Sequence, residues 1–190
     1  MNDNLEKKRA GTRFSAKRLT FMAIFVALSY AVSFLEIPIF PAAPFLKLDF
    51  GNVFILLVGF LLGPVEGVIV CFLKECLRAI SSSSGGVGEI ANMLVTSAYI
   101  LLPTIVYKFK KGFLTVVWTL AAGCALGTGA ALLANRFITF PLYMGAGAAD
   151  AFSALVWFVL AFNLIKTVAV SALTVLLYKR LSKFLKKLKV

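Results

Sequence analysis

A lysine, Lys166, interrupts an otherwise uncharged apolar run from Ala151 to Tyr178. A charge within membrane hydrocarbon costs at least roughly 2.5–3.5 kcal/mol on insertion scales, so a chain that keeps one there usually uses it. An ammonium offers three hydrogen-bond donors and no acceptor. It can donate to an acceptor-rich edge of a ligand, or it can form a structural ion pair with an acid such as Glu75 or Glu89. Asn163 precedes it by three residues and shares its helix face, one turn further outward.

Other polar groups lie at a comparable depth. With a rise of about 1.5 Å per residue, Lys166 stands about 20 Å above the inner end of its helix in a core of about 30 Å. Asn135 stands about 33 Å above Phe113, at the outer boundary. Glu89 lies at the outer edge of its helix and Asn92 about one turn deeper on the same face. Glu89, Asn92, Asn135, Asn163 and Lys166 therefore converge on the outer half of a bundle, as a polar cluster with many Phe residues available as flat apolar walls. The plain structural alternatives are asparagines as packing glue between helices and Glu89 as a complement to a helix dipole. Lys74, Glu75 and Arg78 read as a self-compensating cluster in which Glu75 pairs better with Arg78. The pattern does not suit catalysis: there is no His, no acid pair at catalytic spacing and no Ser or Cys nucleophile with a base. Cys71, Cys76 and Cys124 lie in apolar segments without ligand-like spacing and read as buried thiols, so no metal site is expected.

The elements that must position these groups are membrane helices. The chain is 61% hydrophobic over 190 residues, with a mean hydropathy of +0.94, where soluble domains have roughly 45–50% apolar residues. The sequence predicts an all-α membrane protein: a basic tail over 1–18, a six-helix membrane domain over 19–180 and a second basic tail over 181–190. The spans fall at about Leu19–Leu35, Phe50–Leu62, Val65–Ile80, Gly88–Tyr107 and Phe113–Thr139, with a sixth ending at Tyr178. Pro38, Pro41 and Pro44 mark a long loop after the first span; Gly63-Pro64 is a tight turn, 81–87 a Ser/Gly connector and 140–158 a second outer segment. The net charge is +12, and most of the Lys and Arg fall in three patches: Lys7 to Arg18, Lys108 to Lys111, and Lys179 to Lys189. Six spans put all three on one side. The positive-inside rule then makes that side cytoplasmic and explains the patches without nucleic acid; five or seven spans would split them across the bilayer. The apolar run after the first tail is long enough to span and is not expected to be a cleaved leader.

Ala23, Ala27 and Ala31 in the first span recur every four residues, a stripe that lets another helix approach closely, inside this bundle or on a partner. Together with this stripe, four ordered stretches carry a family likeness: Phe45-Leu-Lys-Leu-Asp49, Gly86-Val-Gly-Glu-Ile-Ala-Asn92, Asn135 followed by Pro141-Leu-Tyr-Met144, and Phe162-Asn-Leu-Ile-Lys166. The chain resembles the riboflavin-specific type of substrate-binding S component of energy-coupling-factor (ECF) vitamin transporters, over nearly its whole length.

The resemblance implies a six-helix bundle in the bacterial cell membrane with riboflavin bound near the outer face, beneath the loop between the first two helices. It implies that Asn135, Asn163 and Lys166 hydrogen-bond the isoalloxazine edge and ribityl chain, and that backbone around Leu46 contributes from the loop. Glu89 and Asn92 match a recurrent motif, either touching the ligand or bracing the site. Riboflavin, with related flavins, would be the transported ligand and no cofactor is expected. The partners implied are a membrane coupling (T) protein, met by the alanine stripe, and two cytoplasmic ATPases; the chain itself has no GxxxxGK[ST] phosphate loop. An S component for another vitamin is the alternative within the family.

Overall fold

A computed structural model describes residues 15–82 and 85–187, with side chains through Tyr178. The first tail through residue 14, and the side chains of the last basic patch, lie outside the described residues.

Helix α1 covers Ala16–Ser33 and begins where the Ser15 side chain accepts a hydrogen bond from the Arg18 backbone N–H, a serine N-cap. Lys17 and Arg18 therefore belong to the helix and not to the tail. After α1, strands β1 (Ile37–Pro38) and β2 (Lys47–Leu48) form a small antiparallel hairpin. Helices α2 (Gly51–Leu61) and α3 (Pro64–Ile80) meet at Gly63, whose φ of 134° is a conformation that L side chains rarely adopt; Pro64 opens α3, where a missing N–H costs nothing. Helix α4 covers Val87–Phe109 and α5 covers Phe113–Ala134.

The segment 140–158, expected as an outer loop, is mostly helical. A π-helical turn spans Asn135–Thr139, a short helix α6 spans Phe140–Met144, a 3-10 turn spans Gly145–Gly147, and α7 runs from Ala148 to Lys187, past the end expected at Tyr178. Pro141 sits in the first turn of α6, where it is tolerated, and the reversal falls on Gly145 at φ 55°. The alanine-rich start of α7 is good helix sequence, which is why so little of this segment is loop.

Ala16–Ser33, Val87–Phe109 and the stretch Phe113–Tyr178 are long and apolar enough to cross a membrane. The last of these has 66 residues, where one crossing takes about 20, and it folds back on itself: Cys124 meets Ser171, and Gly127 approaches Thr167. As numbers rise in α5 they fall in α7, so the two helices pack antiparallel. Similar pairings (Arg18 with Leu62 and Ser29 with Gly51; Cys71 with Met93 and Gly67 with Ile100) make α1 antiparallel to α2 and α3 antiparallel to α4. One end of the bundle thus gathers Arg18, the Gly63 turn, Lys108 and Lys111 around a single cavity. The hairpin, the start of α4 and the π turn lie at the other end.

The core runs through Phe25, Leu56, Val70, Ile100, Leu120 and Val170. Helices α4 and α5 approach closely because Gly123 and Gly127, four apart, present bare backbone to Tyr99; a Cβ on Gly123 would stand 2.7 Å from the Tyr99 carbonyl oxygen. Pro103, four residues after Tyr99, has no N–H to give that carbonyl, and its ring also packs on Gly123. Gly129, on the same helix, has nothing within 4 Å of its Cβ position. Gly123→Leu is expected to lower the melting temperature of the detergent-solubilised protein by overpacking, at a cost of about 1–3 kcal/mol, while Gly129→Ala does not lower it. Thermal unfolding of the two variants beside the parent checks this.

Candidate ligand site

The site is a cavity of about 660 Å³ at the hairpin end, within the roughly 300–1,000 Å³ usual for small-molecule pockets. Leu46, Glu89, Asn92, Asn135, Asn163 and Lys166 all line it. They reach it from four parts of the chain: Leu46 from the hairpin, Glu89 and Asn92 from α4, Asn135 from the π turn, Asn163 and Lys166 from one face of α7. Two asparagines each donate one amide hydrogen back along the chain, Asn135 of the π turn to Ala131 O of α5 at 2.8 Å and Asn163 of α7 to Val159 O at 2.9 Å. That bond fixes the side chain's rotation, so what remains of each amide is presented in a set direction.

Lys166 is 8% exposed, and its ion-pair partner is neither Glu75 nor Glu89 but Asp49, at 3.0 Å. The reason is geometric: Asp49, assigned to the loop by its prolines, lies at the start of α2, where α7 passes. Lys166 also donates to Asn92 Oδ1 at 2.9 Å. Asn92 in turn donates through Nδ2 to Glu75; Glu75 accepts from Lys74 at 2.7 Å, and Lys74 stands 3.8 Å from the other oxygen of Asp49. The contacts close into a ring: Lys166, Asp49, Lys74, Glu75, Asn92 and back to Lys166. Two cations face two carboxylates, so the ring is neutral. Burial alone would raise the Asp49 carboxyl, but the ammoniums of Lys166 and Lys74, with the Lys166 and Gly51 hydrogen bonds, hold it down to about 2. Asn92 also accepts from Asn52 at 3.3 Å and from Thr96 at 3.4 Å; its four contacts make it a brace within the wall.

The expected pairing of Glu75 with Arg78 does not form. Glu75 points inward to Lys74, while Arg78 reaches the mouth and pairs with Glu36 at 2.7 Å. Glu36 also holds Lys47 of β2 at 2.6 Å, and the Arg78 guanidinium lies 4.8 Å over the Phe34 ring. These contacts tie the end of α1 and the hairpin to α3. Glu89 accepts from Ser82 at 2.8 Å near the same mouth. Apolar walls come from Phe45, Val95, Phe140, Met144 and Phe162, with Phe45 edge-on to Phe140 at 5.8 Å. Thr139 also lines the cavity, its buried hydroxyl without a hydrogen-bond partner among the described residues. Sequence reasoning left out Asp49, Lys74, Thr139 and Tyr143 as site residues. Lys74 carried a signal as a second lysine amid apolar helix, and Asp49 and Tyr143 lay within family-like stretches without being singled out; Thr139 carried none.

The site can thus offer one ammonium, several oriented amides and a hydroxyl to a polar edge, between aromatic and aliphatic faces. Among the described residues, no group of acids, His and Cys is placed to hold a metal.

Comparison with known proteins agrees with this architecture. Residues 17–178 match the family model described as "ECF transporter, substrate-specific component". The chain is 33% identical over 177 residues to the riboflavin transporter RibU of Staphylococcus aureus, covering 90% of this chain and 94% of that one. It is 29% identical over 185 residues to the riboflavin transporter FmnP of Bacillus subtilis, covering 90% and 95%. A solved structure described as the S component of a bacterial ECF transporter superposes with a TM-score of 0.78 at 32% identity, covering 90% of this chain and 98% of that one. A bundle of this shape, matched over almost its full length, belongs to the substrate-specific S components of ECF transporters.

Proposed function

We propose that this S component captures riboflavin, and related flavins, at the outer face of the bacterial cell membrane. The observation that carries the reading is the convergence of Leu46, Glu89, Asn92, Asn135, Asn163 and Lys166 on one cavity, in a chain whose relatives are named riboflavin transporters. Riboflavin pairs a flat three-ring body with an edge of carbonyl and ring-nitrogen acceptors and a polyhydroxyl chain. The phenylalanines suit the body. Lys166 and the amides of Asn135 and Asn163 suit the edge and the ribityl chain, backbone at Leu46 closes over them, and Asn92 and Glu89 support from α4. The flavin is cargo and not a resident cofactor. A permanently cationic vitamin such as thiamine suits Lys166 poorly.

The membrane arrangement belongs to the same reading. Six spans leave both termini, the Gly63 turn and the Lys108–Lys111 loop in the cytoplasm, as the positive-inside rule favours, and the hairpin outside. Transport energy comes from two cytoplasmic ATPases through a membrane coupling protein. The docking surface for that protein is the outer face of α1, where Ala23, Ala27 and Ala31 are all exposed instead of packed within the bundle, beside exposed Leu19, Ile24 and Leu28.

Titration of the purified protein with riboflavin, followed by flavin fluorescence quenching, tests the ligand. The wild type is expected to quench strongly, and Lys166→Ala to weaken binding about tenfold or more, the scale of a lost charge-assisted hydrogen bond; no quenching by the wild type, or quenching by another vitamin's fluorescent analogue instead, overturns the assignment. Ala27→Trp is expected to bind flavin normally yet lose co-purification with the coupling protein and vitamin uptake by cells. Normal uptake by that variant would remove α1 as the docking face.

A further inference from the structure

The flavin reading uses Lys166 but leaves Asp49, Lys74 and Glu75 without a part. Asp49 is buried to 7% exposure and Lys74 to 2%. Groups this costly to bury need a compensating arrangement, and the one they have is the neutral ring with Lys166 and Asn92. Its members come from four places: α7, the junction of hairpin and α2, α3, and α4. Only Asp49 comes from the hairpin side, where it directly follows β2.

The Asp49 carboxylate is anchored from behind. Its Oδ1 accepts from Gly51 N–H at 3.0 Å, and Ser29 of α1 donates to the Gly51 carbonyl at 2.8 Å. The space is tight: a Cβ on Gly51 would stand 2.5 Å from the Ser29 carbonyl oxygen. The carboxylate therefore goes where the start of α2 and the base of the hairpin go. Its two oxygens serve different cations, Oδ2 to Lys166 at 3.0 Å and Oδ1 to Lys74 at 3.8 Å.

We propose that Asp49 is a positioning residue that couples the hairpin to Lys166: the carboxylate aims the Lys166 ammonium into the cavity only while the hairpin is seated. Lys74 completes the device. When an acceptor on the ligand takes one of the three N–H groups of Lys166, Lys74 keeps Asp49 compensated, so engaging the ligand does not strand a buried anion. Because the ring is neutral, it presents a donor without presenting net charge, which favours an uncharged acceptor edge over an anion. The proposal rests on the flavin reading for the identity of the ligand and on the ring alone for the coupling.

The test uses Asp49→Asn, Lys74→Met and the double variant of the full chain. Asp49→Asn leaves the ring with one excess positive charge; the double variant is neutral again. Riboflavin affinity of Asp49→Asn is expected to fall at least about tenfold, mostly through faster dissociation in stopped-flow quenching, as when one partner of a buried charge pair is lost. The double variant is expected to recover most of that loss, because the amide oxygen left at position 49 still accepts from Lys166 and the ring is neutral again, a rescue that simple packing by Asp49 does not predict. In ligand-free protein, amide hydrogen exchange over residues 36–50 is expected to quicken in Asp49→Asn and slow again in the double variant. Wild-type affinity in Asp49→Asn, or a double variant no better than Asp49→Asn in either measurement, overturns the proposal. Aggregation of Asp49→Asn with a monodisperse double variant supports it, and aggregation of both overturns it. Should the wild type fail to quench riboflavin, the flavin reading falls and the exchange measurement alone decides the coupling.

Discussion

Buried ions in an apolar bundle have to balance locally, and that constraint organises the hairpin end of this protein. Two ammoniums and two carboxylates, closed by one asparagine amide, lie among helices whose other faces are almost wholly apolar. No member can be removed singly without leaving a charge in surroundings that solvate it poorly, a loss that in buried pairs runs to about 3–5 kcal/mol. The ring therefore fixes how α3, α4 and α7 stand relative to the start of α2. Helix α2, only 11 residues long, is held at its hairpin end by this ring and by the Ser29 bond, and at its other end by the Arg18 bond to Leu62.

The two ends of the bundle solve the same problem differently. At the hairpin end the charges are internal and paired, and a ligand-sized space opens beside them. At the opposite end, Arg18 pairs with buried Glu66 at 3.4 Å, while Lys108 and Lys111 stay exposed, where water and headgroups can solvate them. Between the ends, close helix approach depends on missing side chains: Gly59 against Gly67, and Gly123 and Gly127 against Tyr99. A rigid middle of this kind lets the hairpin end hold a precise polar geometry.

Much of the site was legible in the sequence because polarity inside an apolar run is a strong signal. Lys166, Asn163, Asn135, Asn92 and Glu89 stood out for that reason, and helix spacing placed Asn163 and Lys166 on the face where the structure has them. What periodicity does not encode is which distant acid meets a given lysine. Asp49 is 117 positions from Lys166 and followed a proline-rich stretch, so it read as a loop acid closing a family-like stretch and not as the partner of Lys166. Glu75 and Arg78, one turn apart, looked like local partners, yet their side chains diverge, one into the ring and one to the mouth. The segment after Asn135 was misread because Pro141 and two glycines resemble loop chemistry, although Pro141 opens a helix and only Gly145 breaks one.

The π turn at Asn135–Thr139 holds one residue more than an α-helical turn needs, with the Phe140 N–H reaching back to the Asn135 carbonyl. Asn135 and Thr139, four apart and so on one face, both line the cavity, and the extra residue is taken up within the turn between them. Removing one residue from this stretch would let it close as a regular, better-bonded α-helical turn without the bulge. Selection for thermal stability alone would favour that deletion, in keeping with the usual opposition of stability and function at working sites. Alignments of this family that place a gap near Asn135 would thus mark members whose cavity wall lacks this bulge.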